Sequence, residues 1–433
     1  MKIVENYQMI KSDDIWIGQY PKNWQIFRLK DKVQVNPPTK KFSSNTSGKI
    51  EFLPMSNVDE AKGQIKRFVF EDYQKVNSGY TAFKNDDVLF AKITPCMENG
   101  NCVIVKGLKN KVAFGSTEFI VFRAKRCNIS YLFYYLRNHR LLLKAEKFMI
   151  GAAGQKRISA DYLKNHPLLF PPLNEQNRIS EYLDNKTTAI DKKIGLLEQK
   201  VTYYQELRKS LINKTVCRGL DKNVKLKDSS VEWIGMIPEH WSVKRGKAIF
   251  SETSIKGFPN EPLLAASQKQ GIILKSMLEQ KSMTAQKGFE NFKLVTVGDF
   301  VISLRSFEGG IEIAYYRGII SPVYTVFKSK NGLCNDYMKY LFKSASFIQY
   351  LKSRITGIRD GQAIKFKEIE TTLFPILSFK EQEQIGKYLD DKTSKTDQII
   401  SNIQNQIEAL KELRKTLIND VVTGKIKVTE NHE

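Results

Sequence analysis

Residues 194–211 read IGLLEQKVTYYQELRKSL, and residues 400–417 read ISNIQNQIEALKELRKTL. Both stretches place their stripe residues at alternating steps of three and four, the heptad pattern of a helix that packs against another helix. The stripe positions are Ile194, Leu197, Val201, Tyr204, Arg208 and Leu211 in the first stretch and Ile400, Ile403, Ile407, Leu410, Arg414 and Leu417 in the second. We therefore predict two long helices of about 40 residues each, paired antiparallel as a coiled coil.

An arginine occupies the same stripe position in both copies, Arg208 in the first and Arg414 in the second. The interpretation that we favour has each aliphatic stem lying on apolar surface while the guanidinium reaches solvent near the helix end. The alternative is an ion pair that fixes the register of the helices or receives a partner subunit. Tyr182 and Tyr388 add apolar positions beyond the stripe and indicate contact with partner helices.

The repeat extends beyond these helices. The phrase Trp16-Ile17-Gly18, with Pro21 and Trp24, recurs 217 residues later as Trp233-Ile234-Gly235, with Pro238 and Trp241. Glu175-Gln176 and Tyr182-Leu183-Asp184 recur 206 residues later as Glu381-Gln382 and Tyr388-Leu389-Asp390. A repeat of about 210 residues is too long for a solenoid unit, so it indicates two copies of one domain, each followed by one helix.

The repeat predicts four segments. Residues 1–174 form the first globular domain, 175–220 the first long spacer helix, 221–380 the second globular domain, and 381–433 the second long spacer helix with the C-terminal tail. We expect the N-terminal segment 1–24 to pack near the end of the second helix, as the second Trp phrase follows the first helix. The expected architecture has pseudo-two-fold symmetry, with a globular head at each end of a two-helix spacer.

Both globular segments have α/β (α+β) character. Short runs rich in β-branched and aromatic residues predict strands at Val88–Phe90, Cys102–Val105, Phe119–Phe122, Leu294–Val297, Phe300–Leu304 and Val323–Phe327. Apolar residues at helical spacing predict one helix over Tyr131–Met149 and another over Tyr337–Leu351.

The net charge of +23 lies mainly in the two globular segments, which carry +13 and +9, whereas the two helical segments carry +3 and −2. Two separate basic domains favour a polyanionic partner, and the alternative is a solvated basic surface without such a partner. No run of about 18 apolar residues is present, which argues against a membrane span. Five cysteines without C-x-x-C spacing argue against a zinc site and favour the reducing cytoplasm.

Several motifs together carry a specific resemblance: the W-I-G phrase, the Asp-led strand at Asp87, Ser116-Thr117-Glu118-Phe119, the Gly-Gln pairs, the approach Pro171-Pro172-Leu173 to Glu175-Gln176, and the duplicated helix. In these the chain resembles the specificity subunit of type I restriction–modification systems along essentially its whole length. The resemblance implies two target-recognition domains, each reading one half of a bipartite DNA site. It also implies that the helices dock two methyltransferase (modification) subunits, that restriction subunits join this core, and that the chain itself has no catalytic centre.

Candidate DNA contacts lie in the loops after the Asp-led strands and around the Gly-Gln turns. Arginine suits guanine, asparagine and glutamine suit adenine, and any of these side chains can instead contact phosphate. The candidates are Lys92, Thr94, Asn99, Asn101, Gln155, Lys156 and Arg157 in the first copy and Arg305, Ser306, Arg354, Arg359 and Gln362 in the second. We expect Arg157→Ala and Arg359→Ala each to weaken recognition of one half-site only.

Other patterns in the sequence do not support chemistry in this chain. Asn36-Pro37-Pro38 is followed by Thr39 rather than by an aromatic residue that could stack on a flipped adenine, so it indicates a stiff turn. The four histidines lack metal spacing, and no phosphate-binding loop of the G-x-x-x-x-G-K-[ST] type occurs. We therefore expect no catalytic residue, metal or cofactor here, with S-adenosylmethionine, ATP and Mg in the partner subunits. The alternatives are a stand-alone DNA-binding regulator and a single-chain methyltransferase, which would need a cofactor loop that the sequence lacks.

Overall fold

A computed structural model describes residues 7–14, 17–38, 48–152, 154–268, 270–278, 288–304, 306–330, 332–354 and 364–429. The chain divides into two compact units. Unit 1 comprises Met1–Glu198 and Asn405–Glu433, and unit 2 comprises Gln199–Gln404. In the described part of the chain, no helix has the length and apolar character needed to cross a membrane.

Strands in the part of the chain before the first long helix are β1 Met9–Lys11, β2 Gln19–Pro21, β3 Gln25–Arg28, β4 Val33–Val35, β5 Lys49–Leu53, β6 Val58–Asp59, β7 Gln64–Ile65, β8 Val69–Asp72, β9 Thr81–Phe83, β10 Asp87–Ala91, β11 Cys102–Ile104, β12 Ala113–Gly115, β13 Phe119–Ala124 and β14 Pro167–Phe170. The helices are α1 Leu29–Lys32, α2 Tyr73–Val76, α3 Ile129–Leu136, α4 His139–Glu146, α5 Ala160–Asn165 and the long helix α6 Leu173–Arg218.

Strands after α6 are β15 Leu226–Asp228, β16 Met236–Pro238, β17 Ser242–Arg245, β18 Phe250–Thr253, β19 Leu264–Ser267, β20 Gly271–Leu274, β21 Lys293–Val295, β22 Phe300–Ile302, β23 Glu312–Ile313, β24 Gly318–Ile320, β25 Thr325–Ser329 and β26 Leu373–Ile376. The helices are α7 Gly246–Ile249, α8 Ser306–Gly309, α9 Asn335–Phe342, α10 Ala345–Ser353, α11 Phe366–Thr371 and the long helix α12 Phe379–Val422. Short 3₁₀ turns lie at Met55–Asn57, Lys275–Met277 and Phe289–Asn291.

The centre of unit 1 is a four-stranded sheet in the order β11-β10-β13-β4, with β10 antiparallel to both of its neighbours. Successive side chains of β10 enter different cores: Val88 and Phe90 pack in the core that contains α3, and Leu89 packs in a second core beneath β12. A strand covered on both faces has apolar residues at every position, and this explains the unbroken Val-Leu-Phe-Ala run. The second sheet has the order β8-β5-β12-β9, with β5 and β12 parallel.

Unit 2 contains the same central sheet, in the order β23-β22-β25-β18. Phe300 and Val301 of β22 again enter two different cores. The predicted strands are therefore present in both copies, with ends that differ by at most two residues.

The two helices predicted at Tyr131–Met149 and Tyr337–Leu351 are each two helices, so those predictions are wrong in extent. The first breaks because the Asn138 side chain accepts a hydrogen bond from the Arg140 backbone N–H at 2.8 Å and caps α4. The second breaks where the Ser344 hydroxyl donates to the Leu341 carbonyl at 2.7 Å. Each break leaves one basic residue, Arg137 or Lys343, at the C-cap of the preceding helix.

Helices α6 and α12 have 46 and 44 residues, and every predicted stripe position on them is buried or half-buried. In unit 1, Ile179 of α6 lies in one core with Ile418 of α12, and farther along α6 Asp191 contacts Arg414, nearer the start of α12. Higher residue numbers in α6 therefore pair with lower residue numbers in α12, so these parts of the two helices run antiparallel. Unit 2 has the same antiparallel relation: Ile212 shares a core with Ile385, and Arg208 contacts Asp397.

The last tryptophan of each Trp phrase lies at the beginning of a long helix. Trp24 Nε1 donates to Glu175 Oε1 at 3.1 Å in unit 1, and Trp241 Nε1 donates to Glu381 Oε1 at 3.0 Å in unit 2. Trp24 also shares a core with Val421 at the end of α12, which places this part of the N-terminal segment beside the end of that helix. Trp16 lies outside the described residues.

Candidate nucleic-acid interface

In unit 1 the loop after β10 and the Gly-Gln turn meet at one surface. The Thr94 backbone N–H donates to the Lys156 carbonyl at 3.0 Å, and the Lys156 N–H donates to Thr94 Oγ1 at 3.0 Å. The Lys92 carbonyl accepts from the Ile158 N–H at 2.9 Å. These bonds bring together Lys92, Thr94, Gln155, Lys156 and Arg157, which the sequence placed in two separate loops.

Arg157 has a carboxylate partner at this surface. Its Nη2 donates to Glu118 Oε1 at 2.8 Å, and its Nε lies 3.1 Å from both Glu118 oxygens. The hydrogen bonds to Glu118 raise the pKa of Arg157, so the guanidinium is held in its charged form. The side chain is 45% exposed, and a phosphate or a guanine could compete with Glu118 for the same fork of donors.

Two predicted DNA contacts are corrected by their burial. Asn101 is 3% exposed and lies in the interior just before β11, and Ser306 is 1% exposed and accepts a hydrogen bond from the Ser303 N–H at 2.8 Å. Neither side chain is presented to a ligand at the surface. Asn99, by contrast, is exposed, and its Nδ2 donates to Glu60 Oε2 at 3.2 Å.

Of the remaining candidates in unit 2, Arg354 is exposed, with its guanidinium carbon 5.0 Å from the centroid of the Tyr350 ring. Arg305, Arg359 and Gln362 lie outside the described residues.

Unit 2 contains a cleft of about 1120 Å³, and of its lining residues only Arg354 was a predicted DNA contact. Its charged lining residues are Lys247, Lys330, Arg354, Lys365 and Lys367, opposed by Glu252, Glu368 and Glu370. The positive excess makes the cleft a place where a phosphate chain would be attracted. Two lysines separated by one residue, at Lys365 and Lys367, were the available signal in the sequence.

The repeated Glu-Gln pair has a structural role. Glu175 also accepts a hydrogen bond from Asn23 Nδ2 at 3.2 Å, and Glu381 is 3.1 Å from His240 Nε2. The amide oxygen of Gln176 accepts from the Asn128 N–H at 2.8 Å, and that of Gln382 accepts from the Cys334 N–H at 2.8 Å. Each pair therefore fastens the first turn of a long helix to its own globular part.

The two stripe arginines form ion pairs, so the favoured interpretation of solvent-reaching guanidinium groups is wrong. Arg414 Nε and Nη2 donate to the two oxygens of Asp191 at 3.0 and 3.3 Å. Arg208 Nη2 donates to Asp397 Oδ2 at 3.2 Å. Asp191 and Asp397 are related by the same 206-residue offset as the arginines, a match that the sequence contained.

Burial shifts the pKa of several titratable groups in the described residues. Burial, with Lys144 nearby, lowers the pKa of His166 to about 4. Burial raises the pKa of the Cys102 thiol to about 12 and that of the Cys217 thiol to about 11. Within the described ranges, no three His, Cys, Asp or Glu side chains are grouped as metal ligands.

Comparisons with known proteins agree with this architecture. Residues 21–199 match the family described as the type I restriction modification DNA specificity domain. The EcoAI and EcoEI specificity subunits of type I restriction enzymes from Escherichia coli are 28% and 34% identical to the chain over 62% and 39% of it. These alignments cover 46% and 28% of the two relatives, so the chain spans less than half of each. The MjaX specificity subunit of Methanocaldococcus jannaschii is 25% identical over 95% of this chain and 96% of its own length.

Solved structures are similar in fold. A chain from a type I R-M system complex has a TM-score of 0.72 at 18% identity and covers 94% of this chain and 99% of its own. The HsdS subunit from Thermoanaerobacter tengcongensis has a TM-score of 0.54 at 18% identity, with 94% and 98% covered.

Proposed function

This chain belongs to the family of type I restriction–modification specificity subunits, and we propose that it selects the DNA sequence on which such a system acts. Each unit would bind one half of a bipartite site in double-stranded DNA. Phosphate contacts from basic side chains would supply much of the affinity, and loop side chains would read base edges.

The observation that carries this proposal is a duplicated central sheet with a basic surface in each unit. Each unit has the same four-stranded central sheet, and the positive charge is divided between the two globular segments as +13 and +9. Arg157 supplies an exposed cation in the first unit, and the lysine-lined cleft supplies several in the second. Two basic modules in one chain suit a target with two parts, because bivalent binding multiplies the affinities of both.

We propose that α6 and α12 dock two modification subunits. Leu207 and Leu413, which the repeat relates, are 45% and 53% exposed beside the two stripe arginines, and Tyr203 is 62% exposed. Apolar side chains of this size on a polar helix surface are typical of protein interfaces. Tyr182 and Tyr388 are half-buried, each with a lysine about 6 Å from its ring centroid, and they would lie at the edge of these interfaces.

In this proposal the chain is not an enzyme. Adenine methylation with S-adenosylmethionine would take place in the modification subunits, and ATP and Mg would be used by restriction subunits that join the same core.

The decisive experiment is methylation mapping. The chain is co-expressed with its modification subunit in a methylation-deficient host, and methylated adenines are located by long-read sequencing. We expect one bipartite motif with a fixed gap, and no methylation by either protein alone. Methylation by this chain alone would instead identify a methyltransferase, and sequence-specific binding without any effect on methylation would identify a regulator.

A further inference from the structure

Arg137 and Lys343 occupy the same place in the two units and are absent from the candidate DNA contacts. Each is the C-cap of the helix that precedes the break described above, and the two positions are related by the 206-residue offset. Each side chain donates hydrogen bonds to backbone carbonyls of loops that are distant in sequence.

In unit 1, Arg137 holds the turn between β6 and β7. Its Nη2 donates to the carbonyl oxygens of Glu60 and Ala61 at 2.8 and 2.7 Å, and its Nη1 donates to that of Cys102 at 3.4 Å. Gly63 has a φ of +68°, and a Cβ there would lie 1.8 Å from Arg137 Nη1, so glycine is required for this close approach.

This turn is joined to the loop after β10. Glu60, whose carbonyl Arg137 binds, accepts a hydrogen bond through its carboxylate from the exposed Asn99. Cys102, whose carbonyl Arg137 also binds, ends the same loop. The guanidinium of Arg137 therefore holds both the β6–β7 turn, which contacts the loop that carries Lys92, Thr94 and Asn99, and the residue at the end of that loop.

In unit 2, Lys343 makes an equivalent set of contacts. Its Nζ donates to the Gln268 carbonyl in the turn after β19 at 3.2 Å and to the Gly309 carbonyl in the segment after β22 at 2.8 Å. It also pairs with the Glu312 carboxylate, which is 2% exposed. Gly310 has a φ of +83°, and a Cβ there would lie 2.3 Å from the Phe342 carbonyl oxygen.

A cation suits this place for a physical reason. Several carbonyl dipoles converge on each side chain, and only a group with several donors can satisfy them at once. The burial of Arg137 lowers its pKa to about 10, which still leaves it charged at neutral pH.

We propose that Arg137 and Lys343 are positioning residues for DNA recognition: Arg137 fixes the conformation of the loop after β10 in unit 1, and Lys343 fixes that of the segment after β22 in unit 2. This inference rests on the proposed function. It predicts that each residue controls the reading of one half-site without contacting DNA.

The test uses the complex of the full chain with its modification subunit. Binding is measured for the mapped site and for two duplexes in which one half or the other is scrambled. The ratio of the dissociation constants of the scrambled and intact sites gives the discrimination at each half. The variants are Arg137→Met and Lys343→Met, with Lys75→Met and Lys352→Met as controls that remove the same charge from exposed positions of the same units.

We expect each main variant to lose about fivefold or more of the discrimination at one half, the amount that a displaced base contact can cost. The two variants should affect opposite halves, and the controls should leave both ratios unchanged. A merely structural role would reduce the folded fraction while the ratios stayed as in the wild type, and that result would overturn the inference, as would equal loss at both halves.

Arg137→Lys and Lys343→Arg keep the charge and serve where a methionine variant does not fold. Each should show a partial loss at its own half, and wild-type ratios in both would overturn the inference. Failure of the wild-type complex to recognise any bipartite site would refute the proposed function instead, so the two failures are distinguishable.

Discussion

The two stripe ion pairs provide a comparison within one molecule. The Arg414–Asp191 pair has side-chain exposures of 11% and 21%, whereas the repeat-related Arg208–Asp397 pair has 34% and 55%. The perturbation is Arg→Met at each site, which keeps the apolar stem and removes the charge and the donors.

The expected losses of stability differ because the two ion pairs differ in solvent exposure. Removing one partner of a fully buried pair costs about 3–5 kcal/mol, since the other charge is left unpaired. Asp191 retains some exposure, so we expect Arg414→Met to lower the free energy of unfolding by about 2–3 kcal/mol, between the buried and exposed limits. Exposed pairs contribute about 0–1 kcal/mol, and we expect no more than that for Arg208→Met.

Differential scanning calorimetry measures the difference. In a unit of this size 1 kcal/mol shifts the Tm by about 2–4 °C, so Arg414→Met should lower it by about 4–12 °C and Arg208→Met by less than about 4 °C. Adding Asp191→Asn to Arg414→Met removes the unpaired carboxylate and should recover part of the loss. Equal losses in the two single variants, or no recovery in the double variant, would refute the argument from burial.

Three further predictions concern the globular parts. Arg157→Ala should weaken binding at one half-site only and lower the slope of log K against log salt by about one, as measured by titration at several salt concentrations; a uniform loss at both halves would contradict separate reading. Gly63→Ala should lower the free energy of unfolding in urea by more than Gly107→Ala, because both glycines have positive φ but only a Cβ at Gly63 meets another atom within 4 Å. Similar losses in the two variants would exclude the clash with Arg137. The pKa of His166 is lowered in the folded state, so the unfolded state binds a proton first as the pH falls, and the free energy of unfolding should decrease by up to about 3 kcal/mol between about pH 6.5 and 4. His166→Gln should flatten this pH dependence, and an unchanged slope would show that the imidazole does not cause it.

The architecture could be predicted because the repeated residues include those whose side chains hydrogen-bond one structural element to another. Trp24, Glu175 and their counterparts recur because an indole N–H and a carboxylate must meet at the start of each long helix. The Asp that opens β10 recurs for a similar reason: Asp87 accepts from the Lys84 N–H at 2.9 Å and pairs with Arg123 at 2.7 Å. Contacts of this kind use specific residue types and so leave a pattern in the sequence.

The candidate interface was predicted less well because exposure depends on tertiary packing. Asn101 and Ser306 have the right chemistry and follow the right strands, but the chain turns them into the interior. The role of Arg137 could not be read from spacing, since its partners are backbone carbonyls that any residue could supply. The stripe arginines could have been interpreted correctly, had the aspartates been compared at the repeat offset.

Unit 1 is assembled from both ends of the chain, and this determines the order in which a ribosome can complete the two units. Every residue of unit 2, which ends at Gln404, is synthesised before the core residues Ile418, Val421 and Val428 of unit 1. During translation the core of unit 1, which also contains residues of α3 and β10, remains incomplete, while the second unit can already fold. Unit 1 is thus the last to close, and slow translation or premature termination within α12 would leave it exposed to aggregation and proteolysis.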